Sequence, residues 1–176
     1  PGATNLVTGI AQAAAAFSPV VSIAGSYSTK DKMQDAFQGL DQQSLFKPIT
    51  KKTWTIKNTK KIPTIFSKAF NLAMSPRRGP VQLNLPRNIL STKAKFHIDQ
   101  SKKSYNSESF LKAKKNDIKK SAQIIIQSNK SVIVAGGGIK HTSKYKEVIK
   151  LAELLNIPMV TSAGHGDAIP FNHKLN

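Results

Sequence analysis

The first 25 residues constrain the fold more than any other stretch of the chain. They open with a Pro-Gly turn, and the Ala-rich residues 3–17 are predicted to form a helix that ends at Ser18 and Pro19. Residues 20–24 (VVSIA) are typical of a strand buried on both faces of a parallel sheet. This pattern is half of a βαβ unit. Because the chain has no initiator Met and begins within a turn, we expect an internal piece of a longer protein.

The alternation of helices and buried strands continues along the rest of the chain. Helices are predicted over residues 34–46, 61–74, 118–128 and 145–155, and strands over residues 51–56, 81–85, 132–135 and 158–161. Residues 91–115 are polar, rich in Lys and Ser, and indicate a linker. The sequence therefore predicts an α/β protein with two parallel-sheet domains in tandem, over residues 1–90 and 116–176.

The chain is strongly basic, with 27 Lys and Arg against 9 Asp and Glu and a formal net charge of +18. Such an excess can mark a nucleic-acid binder, but the lysines are spread along the chain and do not alternate with aromatic residues as in a stacking platform. Nucleic-acid binding is therefore not favoured. The absence of Cys excludes disulfides and thiolate sites. No apolar run approaches the ~20 residues of a membrane span.

Two features could bind an anionic ligand. Gly136, Gly137 and Gly138 follow a predicted strand, where backbone amides can approach a phosphate, although the loop lacks the third glycine of a dinucleotide fingerprint and a packing turn is favoured over a site on spacing alone. Arg77 and Arg87 flank the strand over residues 81–85. Arg87 follows its carboxyl end, where ligands bind in parallel sheets, and a guanidinium suits a carboxylate, sulfonate or phosphate. A solvated surface arginine is the equal alternative.

No catalytic constellation or metal site is visible. The four His are not spaced as zinc ligands, no Ser lies in a nucleophile elbow, and no paired carboxylates lie near a motif. His165 in the sequence AGHGD could face a ligand, but a structural loop histidine is at least as favoured. From residue chemistry alone, the chain is a nucleotide-capable α/β protein with no catalytic group of its own.

Four blocks, in this order and spacing, resemble thiamine-diphosphate enzymes of the acetolactate synthase superfamily. They are residues 1–10 (PGATNLVTGI), residues 36–38 (AFQ) with residues 49–51 (ITK), residues 78–87 (RGPVQLNLPR) and residues 132–139 (VIVAGGGI). The resemblance implies that residues 1–90 belong to a pyrimidine-binding domain and residues 116–176 to a Rossmann-like middle domain. It implies decarboxylation of a 2-oxo acid and carboligation through a thiazolium ylid. The implied cofactors are thiamine diphosphate with magnesium and, in some members, FAD.

The resemblance also assigns roles to residues of this chain. Gly2 and Asn5 match a loop that borders the thiamine site, and Gln38 matches a residue near the cofactor. Phe37 matches a residue that lines the reaction channel, and Lys51 matches a lysine near the substrate entrance. The family's catalytic glutamate and its diphosphate and magnesium motif match no position here, so these residues alone are expected to be inactive.

Further roles concern nucleotides and subunits. Arg77 matches an arginine that holds FAD in acetolactate synthases, and Gly136, Gly137 and Gly138 match a loop near the middle-domain nucleotide. The family implies a homodimer or homotetramer in the cytoplasm, with a small carbonyl compound as substrate and no membrane.

Other segments are closer to sulfoacetaldehyde acetyltransferase, which releases sulfite and forms acetyl phosphate. These are residues 37–43 (FQGLDQQ), residues 81–87 (VQLNLPR) and residues 166–173 (GDAIPFNH). Residues 76–80 (PRRGP) depart from the usual acetolactate synthase pattern, so FAD binding and the acetolactate product stay open. A non-catalytic nucleotide- or nucleic-acid-binding α/β protein is the alternative from a different class.

Overall fold

The structure is a computed structural model that describes residues 1–96, 112–142 and 144–176, with the side chains of residues 140–142 excepted. The chain divides into two compact units, Pro1–Ser109 and Phe110–Asn176, here called the first and second unit. The division falls within the predicted linker over residues 91–115, of which residues 97–111 lie outside the described part.

The first unit is a three-stranded parallel sheet with helices on it. Its elements are α1 (Gly2–Asn5), α2 (Val7–Ala15), β1 (Val21–Ser26), α3 (Gln42–Phe46), β2 (Thr53–Thr55), α4 (Ile62–Met74), β3 (Val81–Pro86) and α5 (Arg87–Leu90). Two 3₁₀ turns, Lys47–Ile49 and Thr59–Lys61, precede β2 and α4. The strand order is β1-β3-β2, and both pairings with β3 are parallel, which confirms the predicted sheet type.

The central strand β3 is buried along its whole length because both of its faces are covered. Helix α4 packs on one face, where its Ala69 and Ala73 meet Val81 and Leu83. The apolar stripe predicted for this helix therefore faces the sheet. Burying one leucine of this size stabilises the fold by about 1.5–3 kcal/mol.

The opposite face of β3 carries polar side chains, which alternate with the apolar ones because strand side chains point to opposite faces in turn. Gln82 and Asn84 are both buried, and Gln82 Nε2 donates a hydrogen bond to Asn84 Oδ1 at 2.9 Å. Asn84 Nδ2 in turn donates to Thr55 Oγ1 on β2 at 3.5 Å. The sheet is thus joined across strands by side chains as well as by the backbone.

The second unit holds two parallel strands and three helices in its described part. They are α6 (Lys115–Gln127), β4 (Ile133–Ala135), α7 (Gly137–Thr142), α8 (Tyr145–Leu155) and β5 (Met159–Thr161). Its core consists of Ala135, Ala152, Met159, Ala168 and Ile169. Helix α8 ends at Asn156, which adopts the left-handed conformation common just past a helix end.

Four local predictions were wrong. The strands expected to be buried at residues 20–24 and 132–135 each have an exposed face, because Ile23 in β1 is 50% exposed and Val134 in β4 is 63% exposed. The helix expected over residues 34–46 is confined to Gln42–Phe46, because Gln38 has a left-handed φ of 56° and Asp41 caps a new helix start. The helix expected over residues 3–17 is divided at Leu6. The loop expected at Gly136 to Ile139 instead enters the short helix α7 at Gly137. Among the described residues, no helix is long and apolar enough to cross a bilayer.

Candidate functional site

A cleft of about 1130 Å³ opens at the carboxyl edge of the three-stranded sheet. Its wall is formed by the start of α1, the end of β1, the loop between β1 and α3, and the residue that follows β3. The lining residues are Pro1, Gly2, Ala3, Leu6, Ile23, Ala24, Gly25, Ser26, Tyr27, Asp31, Lys32, Asp35, Ala36, Phe37, Gln38, Gly39, Leu40, Gln42 and Arg87. Parallel sheets bind their ligands at this edge, so the position fits a ligand site.

The cleft brings together four of the residues that the sequence singled out: Gly2, Phe37, Gln38 and Arg87. Phe37 is 90% exposed, so its ring is available to contact a ligand in the cleft. Gln38 next to it adopts a φ of 56°. A left-handed non-glycine residue costs free energy, and such residues concentrate at ligand sites. Residues 37 and 38 are thus displayed on a strained turn.

Gln42 is a cleft residue that sequence reasoning missed. Its Nε2 donates a hydrogen bond to the carbonyl oxygen of Gly25 at 2.9 Å, which ties α3 to the end of β1. Its Oε1 is buried and has no hydrogen-bond partner among the described residues. A buried acceptor without a donor is costly, and Gln82 Oε1 in β3 is in the same state. Gln42 lies in the segment over residues 37–43 that is closer to sulfoacetaldehyde acetyltransferase, but neither the pattern nor the resemblance indicates a role for this side chain.

Arg87 is held at the edge of the cleft by a residue far away in the sequence. Its Nη2 lies 3.0 Å from Oδ2 of Asp31 in the loop after β1. The adjacent residue Asn88 exchanges two hydrogen bonds with Thr29, one from the Thr29 backbone N–H at 3.0 Å and one to Thr29 Oγ1 at 2.9 Å. Asp31 was also missed, because no local signal connects it with Arg87.

Beside the cleft lies a smaller polar cavity of about 270 Å³. Asn84 and Thr55 form part of its wall, together with Asp41, the N-cap of α3. The side-chain hydroxyl and the backbone N–H of Ser44 both donate to the Asp41 carboxylate and hold its pKa below the usual 3.8.

Asn5 and Lys51 are not among the residues that line the cleft. Asn5 closes α1, where its backbone N–H donates to the Pro1 carbonyl at 3.1 Å. Lys51 Nζ donates to the Leu72 carbonyl at 2.7 Å and to Ser75 Oγ at 2.6 Å. This side chain therefore provides a hydrogen-bond donor for a free backbone carbonyl at the end of α4. Partial burial lowers the pKa of the Lys51 ammonium group below 10.5.

Arg77 lies at the other edge of the sheet, before β3 begins. Its guanidinium carbon is 4.8 Å from the centre of the Phe17 ring, a cation–π contact. Both residues adopt left-handed φ values, 52° for Arg77 and 51° for Phe17. The structure thus separates the two arginines that flank β3, and only Arg87 reaches the cleft.

The three glycines of the second unit lie where β4 ends. A Cβ on Gly137 would be 2.6 Å from Cε1 of His165, and a Cβ on Gly136 would be 3.3 Å from Ser162 Oγ. Gly138 has open space around it. The His165 ring, from the loop after β5, therefore lies directly against the Gly137 backbone. Within the described ranges, no three His, Asp or Glu side chains gather as metal ligands.

Comparisons with known proteins identify the family to which both units belong. Residues 1–45 match the family described as thiamine pyrophosphate enzyme, N-terminal TPP binding domain. Residues 118–176 match thiamine pyrophosphate enzyme, central domain. The two matched regions fall on the first and the second unit, respectively.

Three curated relatives cover almost the whole chain. A "Probable acetolactate synthase large subunit" of Methanocaldococcus jannaschii is 39% identical over 182 residues, 99% of this chain and 30% of the relative. An "Acetolactate synthase large subunit" of Buchnera aphidicola subsp. Schizaphis graminum is 39% identical over 177 residues, 98% of this chain and 31% of the relative. The "Acetolactate synthase isozyme 3 large subunit" of Escherichia coli is 35% identical over 178 residues, 99% of this chain and 31% of the relative.

A solved structure described as "X-ray structure of a putative thiamin diphosphate-dependent enzyme isolated from Mycobacterium smegmatis" has the same fold. It superposes with a TM-score of 0.73 and 20% identity, and covers 92% of this chain and 31% of its own. This chain thus spans about 30% of the length of the relatives it matches. The chain belongs to the thiamine pyrophosphate enzymes, with regions of their N-terminal TPP-binding and central domains.

Proposed function

We propose that the protein that carries this chain is a thiamine-diphosphate-dependent enzyme that decarboxylates a 2-oxo acid and joins the product to a second carbonyl compound, as acetolactate synthases do. The observation that carries the proposal is the cleft at the sheet edge, which collects Gly2, Phe37, Gln38 and Arg87. The identity of 35–39% to acetolactate synthase large subunits along nearly the whole chain supports it.

The cleft fits the aminopyrimidine part of such a cofactor. Its volume of about 1130 Å³ is large enough for a small molecule, and the Gln38 amide at its wall can donate and accept hydrogen bonds. Ile23 and the exposed Phe37 supply apolar surface beside it. Thiamine diphosphate, when bound, supplies the carbanion chemistry that these side chains lack.

The chain's own residues then bind and orient the substrate. Arg87 provides a guanidinium for the carboxylate of a 2-oxo acid, and its position after β3 directs it into the cleft. Phe37 covers the reacting atoms and excludes water, which strengthens electrostatic interactions in the cleft. Gln38 places an amide, both donor and acceptor, within the same turn.

The remaining expectations concern parts of the complete protein. Magnesium beside the cofactor diphosphate, FAD held by Arg77, a substrate contact of Lys51 and a nucleotide near Gly136, Gly137 and Gly138 stay predictions. A homodimer or homotetramer and a location in the cytoplasm are further predictions from the resemblance.

The test is an assay of the full-length protein for thiamine-dependent release of CO₂ from pyruvate. We expect turnover only with added thiamine diphosphate and magnesium, and we expect Gln38→Ala to reduce kcat about tenfold or more, within the range of single orienting and proton-transfer groups. Wild-type kcat in Gln38→Ala would remove Gln38 from the site. Circular dichroism of both proteins controls for folding.

Release of sulfite from sulfoacetaldehyde is the second arm of the assay. Arg87 favours this alternative as well, because a guanidinium binds a sulfonate as readily as a carboxylate. Sulfite release faster than CO₂ release would select the acetyltransferase. Absence of any thiamine-dependent reaction would favour a non-catalytic nucleotide- or nucleic-acid-binding protein.

A further inference from the structure

We infer that Asp31 sets the anion affinity of the cleft, because its carboxylate competes with an anionic ligand for the Arg87 guanidinium. The inference rests on the proposed function in one respect, the role of Arg87 as the residue that binds the anionic group. It adds a specificity-determining residue to that site.

The two side chains meet inside the cleft. Asp31 and Arg87 both line it, and their contact of 3.0 Å joins Nη2 to Oδ2. The Arg87 side chain is 75% exposed and that of Asp31 is 35% exposed. A ligand that enters the cleft therefore reaches the guanidinium from solvent, and it finds one N–H of the guanidinium already bonded to a carboxylate.

The backbone around Asp31 is held by hydrogen bonds other than the ion pair. Thr29 and Asn88 exchange two hydrogen bonds, and the Asp31 backbone N–H donates to the Ser28 carbonyl at 3.1 Å. Because Asn88 is next to Arg87 in the chain, these bonds hold the two ends of the ion pair close together. The backbone on both sides of the pair is therefore already ordered, so only the two side chains have to be placed to form the contact.

The contact is weak enough for a ligand to break. It joins a single pair of atoms, whereas a guanidinium can bind the two oxygens of a ligand carboxylate, sulfonate or phosphate side by side. An exposed pair of this kind changes an equilibrium by about two- to fivefold. A neutral carbonyl compound cannot replace the Asp31 charge, so Asp31 selects for ligands that bind the guanidinium in bidentate fashion.

The test measures the Kd of inorganic phosphate by calorimetric titration of the full-length protein and its variants. We expect Asp31→Asn to lower this Kd by about two- to fivefold, as expected for an exposed ion pair. Arg87→Gln should raise the Kd, and Asp31→Asn in the Arg87→Gln background should change nothing further. Phosphate bound elsewhere on this basic chain contributes equally to all variants and cancels in the comparison.

Asp35→Asn is the matched control. Asp35 lines the same cleft, and its removal changes the net charge by the same amount, but Asp35 is not the partner of Arg87 in the ion pair. If Asp35→Asn lowered the Kd of phosphate as much as Asp31→Asn, the inference would be overturned. The effect would then come from the net charge of the cleft and not from the ion pair. An unchanged Kd in Asp31→Asn, or in Arg87→Gln, would overturn it as well.

Two further measurements separate this inference from folding and from the proposed function. Equal melting temperatures of wild type and Asp31→Asn exclude misfolding, and Asp31→Ser repeats the test with a smaller side chain. If phosphate binding follows the expected pattern without thiamine-dependent turnover, the inference stands and the proposed function fails. If thiamine-dependent turnover is present but the Kd of phosphate is the same in wild type and Asp31→Asn, the proposed function stands and the inference about Asp31 fails.

Discussion

Both units carry parallel strands with polar loops at the carboxyl edge, and the described residues place different groups there. In the first unit the loop between β1 and α3 is long and displays Phe37 and Gln38 on a strained turn beside free space. In the second unit the glycine loop after β4 is filled by the His165 ring of its own chain. The carboxyl edge of the strands is therefore where a site can form, and the adjoining loop decides which side chains lie there.

The two units also differ in how completely their strands are buried. Strand β3 is buried on both faces, whereas in the second unit Val134 and Val160 lie opposite each other on an exposed sheet face. The first unit thus has a central strand that can carry a rigid site. The predictions below test these contrasts.

The largest effect is expected from Leu83→Ala in β3. Leu83 is 0% exposed under α4, so truncation leaves a cavity and should cost about 2–5 kcal/mol of the free energy of unfolding. The matched control is Val134→Ala in β4, which is 63% exposed and should change stability by less than about 0.5 kcal/mol. Urea unfolding measures both, and equal losses would contradict the contrast in burial.

Arg87→Ala should raise the KM for an anionic substrate about tenfold, because a charge-assisted hydrogen bond is lost from the open cleft. Steady-state kinetics of the full-length protein measures this change. Lys68→Ala is the control, since Lys68 is an exposed cation on α4, away from the cleft-lining residues. An unchanged KM in Arg87→Ala would place the substrate anion elsewhere.

Gly137→Ala should destabilise the second unit by about 1 kcal/mol, because the added methyl group overlaps the His165 ring, which must rotate away. Gly138→Ala has room for the methyl group within the same helix and should be neutral or slightly stabilising. Thermal melts compare the two. The double variant Gly137→Ala/His165→Ala removes the overlap, so the added methyl group should cost no stability relative to His165→Ala alone. If the loss of stability persisted, it would come from the backbone at residue 137 and not from the His165 ring.

The smallest effect is expected from Asp41→Asn at the start of α3. Hydrogen bonds from Ser44 hold the pKa of Asp41 below 3.8 in the folded state, so the ionised carboxylate adds stability above pH 3.8. This stability is lost as the pH falls through the folded-state pKa. The wild type should therefore melt slightly higher than Asp41→Asn at pH 7 and at the same temperature in strong acid.

Asp35→Asn is the control for these melting temperatures, since Asp35 lies in the same loop and is exposed. A difference between wild type and Asp41→Asn that persisted unchanged into strong acid would show that the Asp41 charge is not the cause.

The sequence predicted the regular elements well where one local pattern fixed them. The apolar stripe of residues 61–74 predicted α4, and the runs at residues 81–85 and 132–135 predicted β3 and β4 within one or two residues. A continuous helix over residues 34–46 was wrongly predicted, because the apolar residues in this segment have helical spacing. They are Phe37, Leu40, Leu45 and Phe46. A left-handed Gln38 and the Asp41 cap override that spacing, and the apolar Phe37 belongs to the cleft and not to a core.

The candidate site was predicted in part. Gly2, Phe37, Gln38 and Arg87 meet in the cleft, as the resemblance and the rule for strand ends suggested. Lys51 and Arg77 lie elsewhere, on the end of α4 and at the opposite edge of the sheet. Gln42 and Asp31 could not be foreseen, because one is marked by a missing hydrogen bond and the other by a partner 56 residues away.

The sequence by itself determined which segments are helices and strands, that the strands pair in parallel, and which family the chain resembles. These properties follow from periodicity, turn residues and motif order, which are local or additive along the chain. Only the tertiary structure decided which edge is open, which arginine reaches it, and which carboxylate opposes that arginine. These outcomes depend on distances between residues far apart in sequence, and the packing of the sheet sets those distances.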